Sequence, residues 1–397
     1  MPDACRGDWV RIARRDGTLV DAEVIAFDED RATLMPLGSV HGIGPDDEIR
    51  WMGNTLTVPC GRALLGRVVD GIGRPLDGGP ALQGEPWPIV RAAPAAFDRP
   101  RISRVFPTGV RAIDALCTIG EGQRIGLFAP AGVGKTSLLG RIAQHSAADV
   151  IVTCLVGERG RELNEHLEGA VGVRARSRSV VVCSTSDASA LERMKSAQLA
   201  TTFAEYFRAQ GLSVLLLIDS LTRLVRAARE VGLAAGEPPA RRGFPPSAFS
   251  ELAPLLERAG LTKEGEITAF YTVLVEGNDP DEPVADEVRG LLDGHLVLER
   301  ALAQSGHYPP IDVTKSLSRL MHTIVSATQQ QAAERVRTLL SHYESKRDLV
   351  ELGAVQPGAD VLLDRALSKL PAIHALLKQE RADVSDYAST LERLHAI

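Results

Sequence analysis

The sequence predicts an α/β protein with a mainly parallel central sheet, preceded by a small β-barrel or sandwich and followed by a helical domain. Three observations predict it. From about Val105 to Arg319, short β-rich runs (RIGLFA, VIVTCLVG, SVVVCST, VLLLID, ITAFYTVL) alternate with helical stretches, the signature of βα units. From Trp9 to Val69 the runs alternate apolar with polar residues and are broken by close turn signals such as Arg15-Asp16-Gly17 and Asp28-Glu29-Asp30. From Met321 onward apolar residues recur at helical spacing, as in AERVRTLLSHYESKRDLV and VLLDRALSKLPAIHALLKQ, punctuated by Pro357-Gly358 and Pro371.

The expected organisation is an N-terminal β unit at 1–70, a Gly/Pro-rich connector at 71–104 (GIGRPLDGGP, GEPWP, AAPAAFDRP), an α/β domain at 105–320 and a helical domain at 321–397. Composition sets limits on function. A chain of 397 residues suits two or three domains, and 44% apolar with 24% charged residues is the balance of a soluble globular protein. The net charge of −6 and an aromatic content of 4% argue against a generally basic, base-stacking surface. No apolar run is long enough to span a bilayer, and the first 30 residues carry no apolar core of a signal peptide. The five cysteines are scattered without a CxxC or a His-Cys cluster, which points to free thiols in a reducing compartment and away from a zinc site.

Residues 125–139 read IGLFA-PAGVGKT-SLL: a strand-like run, a glycine-containing turn, then a helix. The P-loop pattern is G-x-x-x-x-G-K-[ST], and here Gly134, Lys135 and Thr136 match, with Ala129 in place of the first glycine. Backbone N–H groups at a helix start converge on an anion, and glycines let phosphate oxygens approach. Ala131, Gly132, Val133, Gly134, Lys135, Thr136 and Ser137 are therefore the candidate phosphate-binding residues, Lys135 as a point charge on the β/γ-phosphates and Thr136 as a hydroxyl for Mg²⁺. Only seven of the 45 basic residues are lysine, and Lys135 is the first of them. A lysine that breaks so strong a preference for arginine calls for a chemical reason.

Two carboxylates follow at strand ends. Asp219 closes the run VLLLI, where it is either a helix cap or the acid that holds Mg²⁺ directly or through water. Glu158 follows VIVTCLVG and opens the charged string Arg159-Gly160-Arg161-Glu162. From spacing alone it is either a carboxylate that orients an attacking water or a member of a surface ion-pair cluster.

These motifs stand in order with others: GRALLGRVVDGIGRPLDG, PTGVRAIDAL, GERGRE, VLLLIDSLTR, GEPPARRGFPPSAFSEL, ADEVRGLLDGHLVLERAL and HYPPIDVTKSLSR. On them the chain resembles the catalytic subunits of the rotary and export hexameric ATPases, the ATP synthase α/β superfamily. Within it the chain is most similar to the type III secretion ATPases, on DSLTR in place of DNxxR and on TVLVEGNDPDEPVADEVRGLLDGH. The wording VADEVR leans towards the injectisome branch over the flagellar one.

The resemblance implies an N-terminal β-barrel, a RecA-like P-loop core and a C-terminal helical domain. It implies a homohexamer that hydrolyses ATP with Mg²⁺ to energise protein export, the alternative being the catalytic subunit of a rotary proton-translocating ATPase. It also implies a cytoplasmic protein held peripherally at the inner membrane by the secretion apparatus. The implied partners are stalk and regulator proteins, export substrates and chaperones, and no nucleic acid. Residue by residue, Glu158 matches the catalytic glutamate with Arg159 beside it near the phosphates, and Asp219 the metal-site acid. Tyr308 matches a tyrosine packed on adenine, Arg319 an arginine finger, and Arg193 a further phosphate-contacting arginine. In rotary hexamers the glutamate and the finger sit on different subunit types, whereas here both are on one chain. Relatives have a longer N-terminal segment, so the expectation is either a trimmed start or a barrel without its first strand and with an exposed edge.

Overall fold

The computed structural model describes residues 3–29, 31–165, 175–275, 282–380 and 383–397, with the side chains of 162, 164 and 165 left aside. Residues 276–281, part of the TVLVEGNDPDEP block, and the last side chain of GERGRE lie outside the described set.

Strands β1 (Trp9–Ala13), β2 (Leu19–Asp28), β3 (Arg31–Pro36) and β4 (Glu48–Trp51) form an antiparallel sheet in the order β3-β2-β1-β4. The period-two pattern produces it: Val10 faces Ala22 and Ile12 faces Val20, and all four are buried in one small core. Among the described residues no pairing joins β3 to β4, so this unit is an open sheet. β5 (Thr57–Cys60) pairs with β7 (Glu85–Pro88), which lies inside the Gly/Pro-rich connector. Between them β6 (Val68–Val69) departs from the expected N-terminal unit. It pairs in parallel with Val181 and Val182 and so belongs to the large sheet. A two-residue apolar strand shows its burial in the sequence but not its distant partner.

The large sheet contains β8 (Arg124–Ala129), β9 (Val150–Glu158), β10 (Ser179–Thr185), β11 (Ser213–Asp219), β12 (Gly260–Leu261), β13 (Glu266–Leu274), β14 (Gly294–Val297) and β15 (Leu317–Ser318). Its order is β15-β14-β8-β13-β11-β9-β10-β6, with β12 beside β13, and every pairing is parallel except those of β12 and β15. The apolar runs are nearly continuous because both faces are covered. On one face Val150, Val152, Leu216 and Ile218 pack under α4 (Ala190–Ala209) and α5 (Leu221–Ala234). On the other, Ile151, Leu215, Leu217 and Leu127 meet α1 (Arg111–Leu116) and α2 (Lys135–His145), and the short α3 (Gly160–Glu165) follows β9. Because β8, β9 and β11 are parallel, Ala129, Glu158 and Asp219 emerge at the same edge, where open α/β sheets bind ligands.

The helical domain comprises α6 (Ala327–Glu351), α7 (Val361–Leu377) and α8 (Tyr387–His395), capped by the side chains of Ser326, Asp360 and Asp386. Pro357-Gly358 separates α6 from α7 as expected, but Pro371 lies inside α7. The helix continues past it because Ile373, Leu376 and Leu377 are buried against the α/β domain, and their packing outweighs one lost hydrogen bond.

The small sheet is pinned to the core by a buried ion pair. Lys195 Nζ on α4 is 2.6 Å from Glu23 Oε2 on β2, and both side chains are under a tenth exposed. Burial holds the Glu23 carboxyl above its ordinary value even though the Lys195 ammonium pulls the other way. Folding therefore favours the neutral form, and this group's contribution to stability is fullest at low pH and falls as pH rises through the raised value. Lys195→Met keeps the length of the side chain and removes its charge, which raises that pKa further. The variant should lose about 3–5 kcal/mol at neutral pH. The deficit should narrow as pH falls through the carboxylate range. Melting both proteins across that range checks this; a deficit that ignores pH would rule out Glu23 as its source.

Candidate nucleotide-binding site

β8 delivers the chain into the loop 130–134, and α2 starts at Lys135. Gly132 and Gly134 have φ of +78° and +93°, while nothing lies within 4 Å of where a Cβ would sit on either. Glycine is needed here for left-handed backbone and not for lack of room. Val133 turns its side chain into the core, so only its main chain can face a ligand.

A cavity of about 820 Å³ opens over this loop. It is lined by Ala131, Gly132, Gly134, Lys135, Thr136 and Ser137 and, from across the sheet edge, by Glu158, Arg159, Arg161 and Arg223. Lys135 Nζ is 2.5 Å from Asp219 Oδ1, and Thr272 Oγ1 donates to the same oxygen at 2.7 Å. Asp219 is almost fully buried and lies behind the lysine, outside the lining of the cavity. Glu158 is buried at the end of β9 and forms an ion pair with Arg223 in the first turn of α5. Glu158 lines the cavity and is buried, so it is not part of an exposed cluster. Arg159 is exposed at the rim.

A second cavity of about 740 Å³ continues along α2 and shares Gly134, Ser137 and Arg141 with the first. Tyr308, Pro309 and Pro310 line one side and Lys378, Gln379 and Glu380 the other. Tyr308 is half exposed and lines this space. The two cavities together are a polar, cationic chamber beside a less polar one, the two chemistries of a nucleotide.

Two candidates lie elsewhere. Arg193 sits in the first turn of α4, behind the Glu158 turn. Its guanidinium pairs with Glu230 at 2.7 Å and donates to the Ala188 carbonyl at 3.2 Å, so it does not line the phosphate chamber. Arg319 is exposed beyond β15 and donates to the Arg289 carbonyl at 3.1 Å. Its N–H donates to Asp293 O, and Asp293 also accepts from Arg124 at the start of β8. The strand from Arg124 to the P-loop is roughly 17 Å long at 3.3 Å per residue, so Arg319 is at the far end of the sheet from its own chain's loop.

Several cavity residues escaped the sequence reading, Arg223 and Arg141 among them. Arg223 was in view as the last residue of DSLTR, but its partnership with Glu158 depends on β9 lying beside β11. Arg141 is four residues after Ser137 and so on the same face of α2, a spacing that carried no signal by itself.

For Mg²⁺, no cluster of three or more His, Cys, Asp or Glu side chains exists among the described residues. The Thr136 hydroxyl in the cavity and the Asp219 carboxylate behind Lys135 nevertheless fit a hard cation that arrives with phosphates, since Mg²⁺ commonly takes only one or two protein oxygens.

Comparison with known proteins agrees with this geometry. Residues 109–318 match the model of the ATP synthase alpha/beta family, nucleotide-binding domain, and residues 325–396 match that of the T3SS EscN ATPase C-terminal domain. The chain is 50% identical over 393 residues to the type 3 secretion system ATPase of Xanthomonas euvesicatoria, covering 98% of this chain and 89% of the relative. It is 46% identical over 366 residues to the flagellum-specific ATP synthase of Bacillus subtilis, covering 92% and 84%. The assembled ATPase EscN of enteropathogenic E. coli superposes with a TM-score of 0.94 at 44% identity, over 99% of this chain and 95% of that one. EscN in complex with its central stalk EscO gives 0.92 at 45%, over 100% and 96%. The parallel core, the small antiparallel sheet, the helical C-terminus and the near-complete coverage lead to one conclusion: this chain belongs to the type III secretion ATPases of the ATP synthase α/β family.

Proposed function

We propose that the chain hydrolyses ATP with Mg²⁺ in a ring of six identical subunits, and that hydrolysis energises type III protein export. The observation that carries the reading is the split of the machinery. Lys135, Glu158 and Arg223 converge on one cavity, while Arg319 lies outside it, exposed beyond β15, and in this reading serves a neighbouring subunit's site. The rotary alternative has less support, because the full-length relatives named above are secretion and flagellar ATPases and the C-terminal match is to the EscN domain.

In this reading Lys135 leaves Asp219 for the β/γ-phosphates, and its ammonium offsets charge that builds during transfer. Mg²⁺ would be held by the Thr136 hydroxyl and, through water, by Asp219, and it supplies further charge neutralisation on the phosphate oxygens. Glu158 orients the attacking water and draws its proton. Arg223 keeps the carboxylate aimed into the chamber, and Arg159 adds positive charge at the rim. Tyr308 packs on the adenine.

Among the described residues no helix is long and apolar enough to cross a membrane. We place the chain in the cytoplasm, attached at the inner membrane through the apparatus. Its proposed partners are a stalk protein, as EscN has in EscO, together with regulators, export substrates and chaperones, and no nucleic acid. The three-part organisation, with boundaries near 70, 104 and 320, belongs to the same proposal.

Lys135→Arg tests the site. The space between the loop and Asp219 holds a compact ammonium 2.5 Å from the carboxylate. A planar guanidinium is larger and should be misplaced there, so turnover should be lost although the charge is kept. Near-normal hydrolysis by the arginine variant would overturn the role given to Lys135.

A further inference from the structure

We infer that Arg141 is a positioning residue for the nucleotide base: it fastens the segment after α7 to the P-loop helix and so fixes the wall that faces Tyr308. The inference rests on the assignment of the two cavities to a nucleotide.

The last turn of α7 leaves carbonyls without partners inside the helix. Two arginines take them and the carbonyls that follow. Arg111, almost fully buried, donates to Leu376 O at 2.9 Å and also to Lys378 O. Arg141 donates to Gln379 O at 3.2 Å, to Asp383 O at 3.0 Å and also to Glu380 O. Cationic donors suit a helix C-terminus because the carbonyl end carries partial negative charge.

The held segment is in turn tied to the base loop. The Gln379 N–H donates to Tyr308 O at 2.8 Å. The Gln379 side chain donates to Gly109 O at 3.0 Å and accepts from the Arg111 N–H at 3.0 Å. P-loop helix, C-terminal segment and tyrosine loop therefore form one hydrogen-bonded frame around the second cavity. Arg111 anchors the whole helical domain, whereas Arg141 stands where the two cavities meet and its bonds end on main-chain carbonyls of one wall. Removing it should loosen the base wall and leave the P-loop contacts to phosphate in place.

The test compares a ligand that has a base with one that lacks it. Calorimetry on the full chain with Mg²⁺ measures ADP and inorganic pyrophosphate. Arg141→Met should weaken ADP by about tenfold and pyrophosphate by no more than about twofold, and the KM for ATP should rise more than kcat falls. Arg141→Lys, which keeps a cation within reach of the same carbonyls, should recover part of the ADP affinity. It also serves as the test should the methionine variant fail to fold, with the lysine then showing the smaller selective loss. Equal losses for ADP and pyrophosphate would overturn the inference, since Arg141 would then act on phosphate. Unchanged ADP affinity would overturn it as well. Failure of the unmutated chain to bind ADP would instead count against the nucleotide site itself.

Discussion

Arg319→Ala chains are expected to bind ATP normally and to hydrolyse it about 10³–10⁵-fold more slowly, the range measured for arginine fingers. Binding should survive because Arg319 lies outside both cavities of its own chain, beyond the edge strand β15. Its backbone is rigidly placed: the Arg319 N–H donates to Asp293 O, and the Gln123 amide bridges the same carbonyl and Ser318 Oγ at 3.0 and 3.1 Å. The guanidinium, by contrast, is exposed and held by a single carbonyl in this structure, a contact it can exchange for a neighbour's phosphoryl group. Turnover per chain of the unmutated protein should rise with protein concentration as rings form. A variant that binds ATP and turns it over at the normal rate would remove Arg319 from the chemistry.

Glu158→Gln should separate chemistry from binding. Hydrolysis should fall by about 10²–10⁴-fold, the usual loss for a positioned base. Affinity for ATP should hold or increase. In the unmutated chain the carboxylate offsets Arg223 through their ion pair, so the neutral amide leaves the phosphate chamber one charge more positive while filling the same space. Nucleotide titration beside single-turnover hydrolysis checks both halves. If affinity and hydrolysis decline together, Glu158 supports the fold of the chamber and is not the base.

The P-loop was legible because it is local: strand, left-handed glycines, lysine and helix follow within a dozen residues, and each has a sequence signal. Glu158 was half legible. Its position after a buried strand was clear, but the charged string behind it fits a surface cluster equally well, and the burial against Arg223 that excludes an exposed cluster depends on a neighbouring strand distant in sequence. What the sequence hid depends on adjacency between distant strands. β6 reads as an end to the N-terminal unit until it is seen beside β10. Arg193 is paired with Glu230, one helix over, an adjacency that no local sequence signal carries. Pro371 looked like a helix boundary because propensity is local, whereas the packing that carries α7 past it is not. Arg141 was invisible for the same reason, as its partners lie at the other end of the chain.

The central claim is that each catalytic centre is completed by a second subunit. Mixing the two inactive chains, Arg319→Ala and Glu158→Gln, tests it most directly. The first brings an intact Glu158 and the second an intact Arg319. Under random mixing at equal amounts roughly a quarter of ring interfaces should join the two intact groups. ATPase activity should return on mixing, to well above either variant alone and up to about that fraction of the unmutated rate. If native mass spectrometry shows mixed rings and the mixture stays as inactive as its parts, Arg319 does not act across the interface and each catalytic centre is complete within one chain.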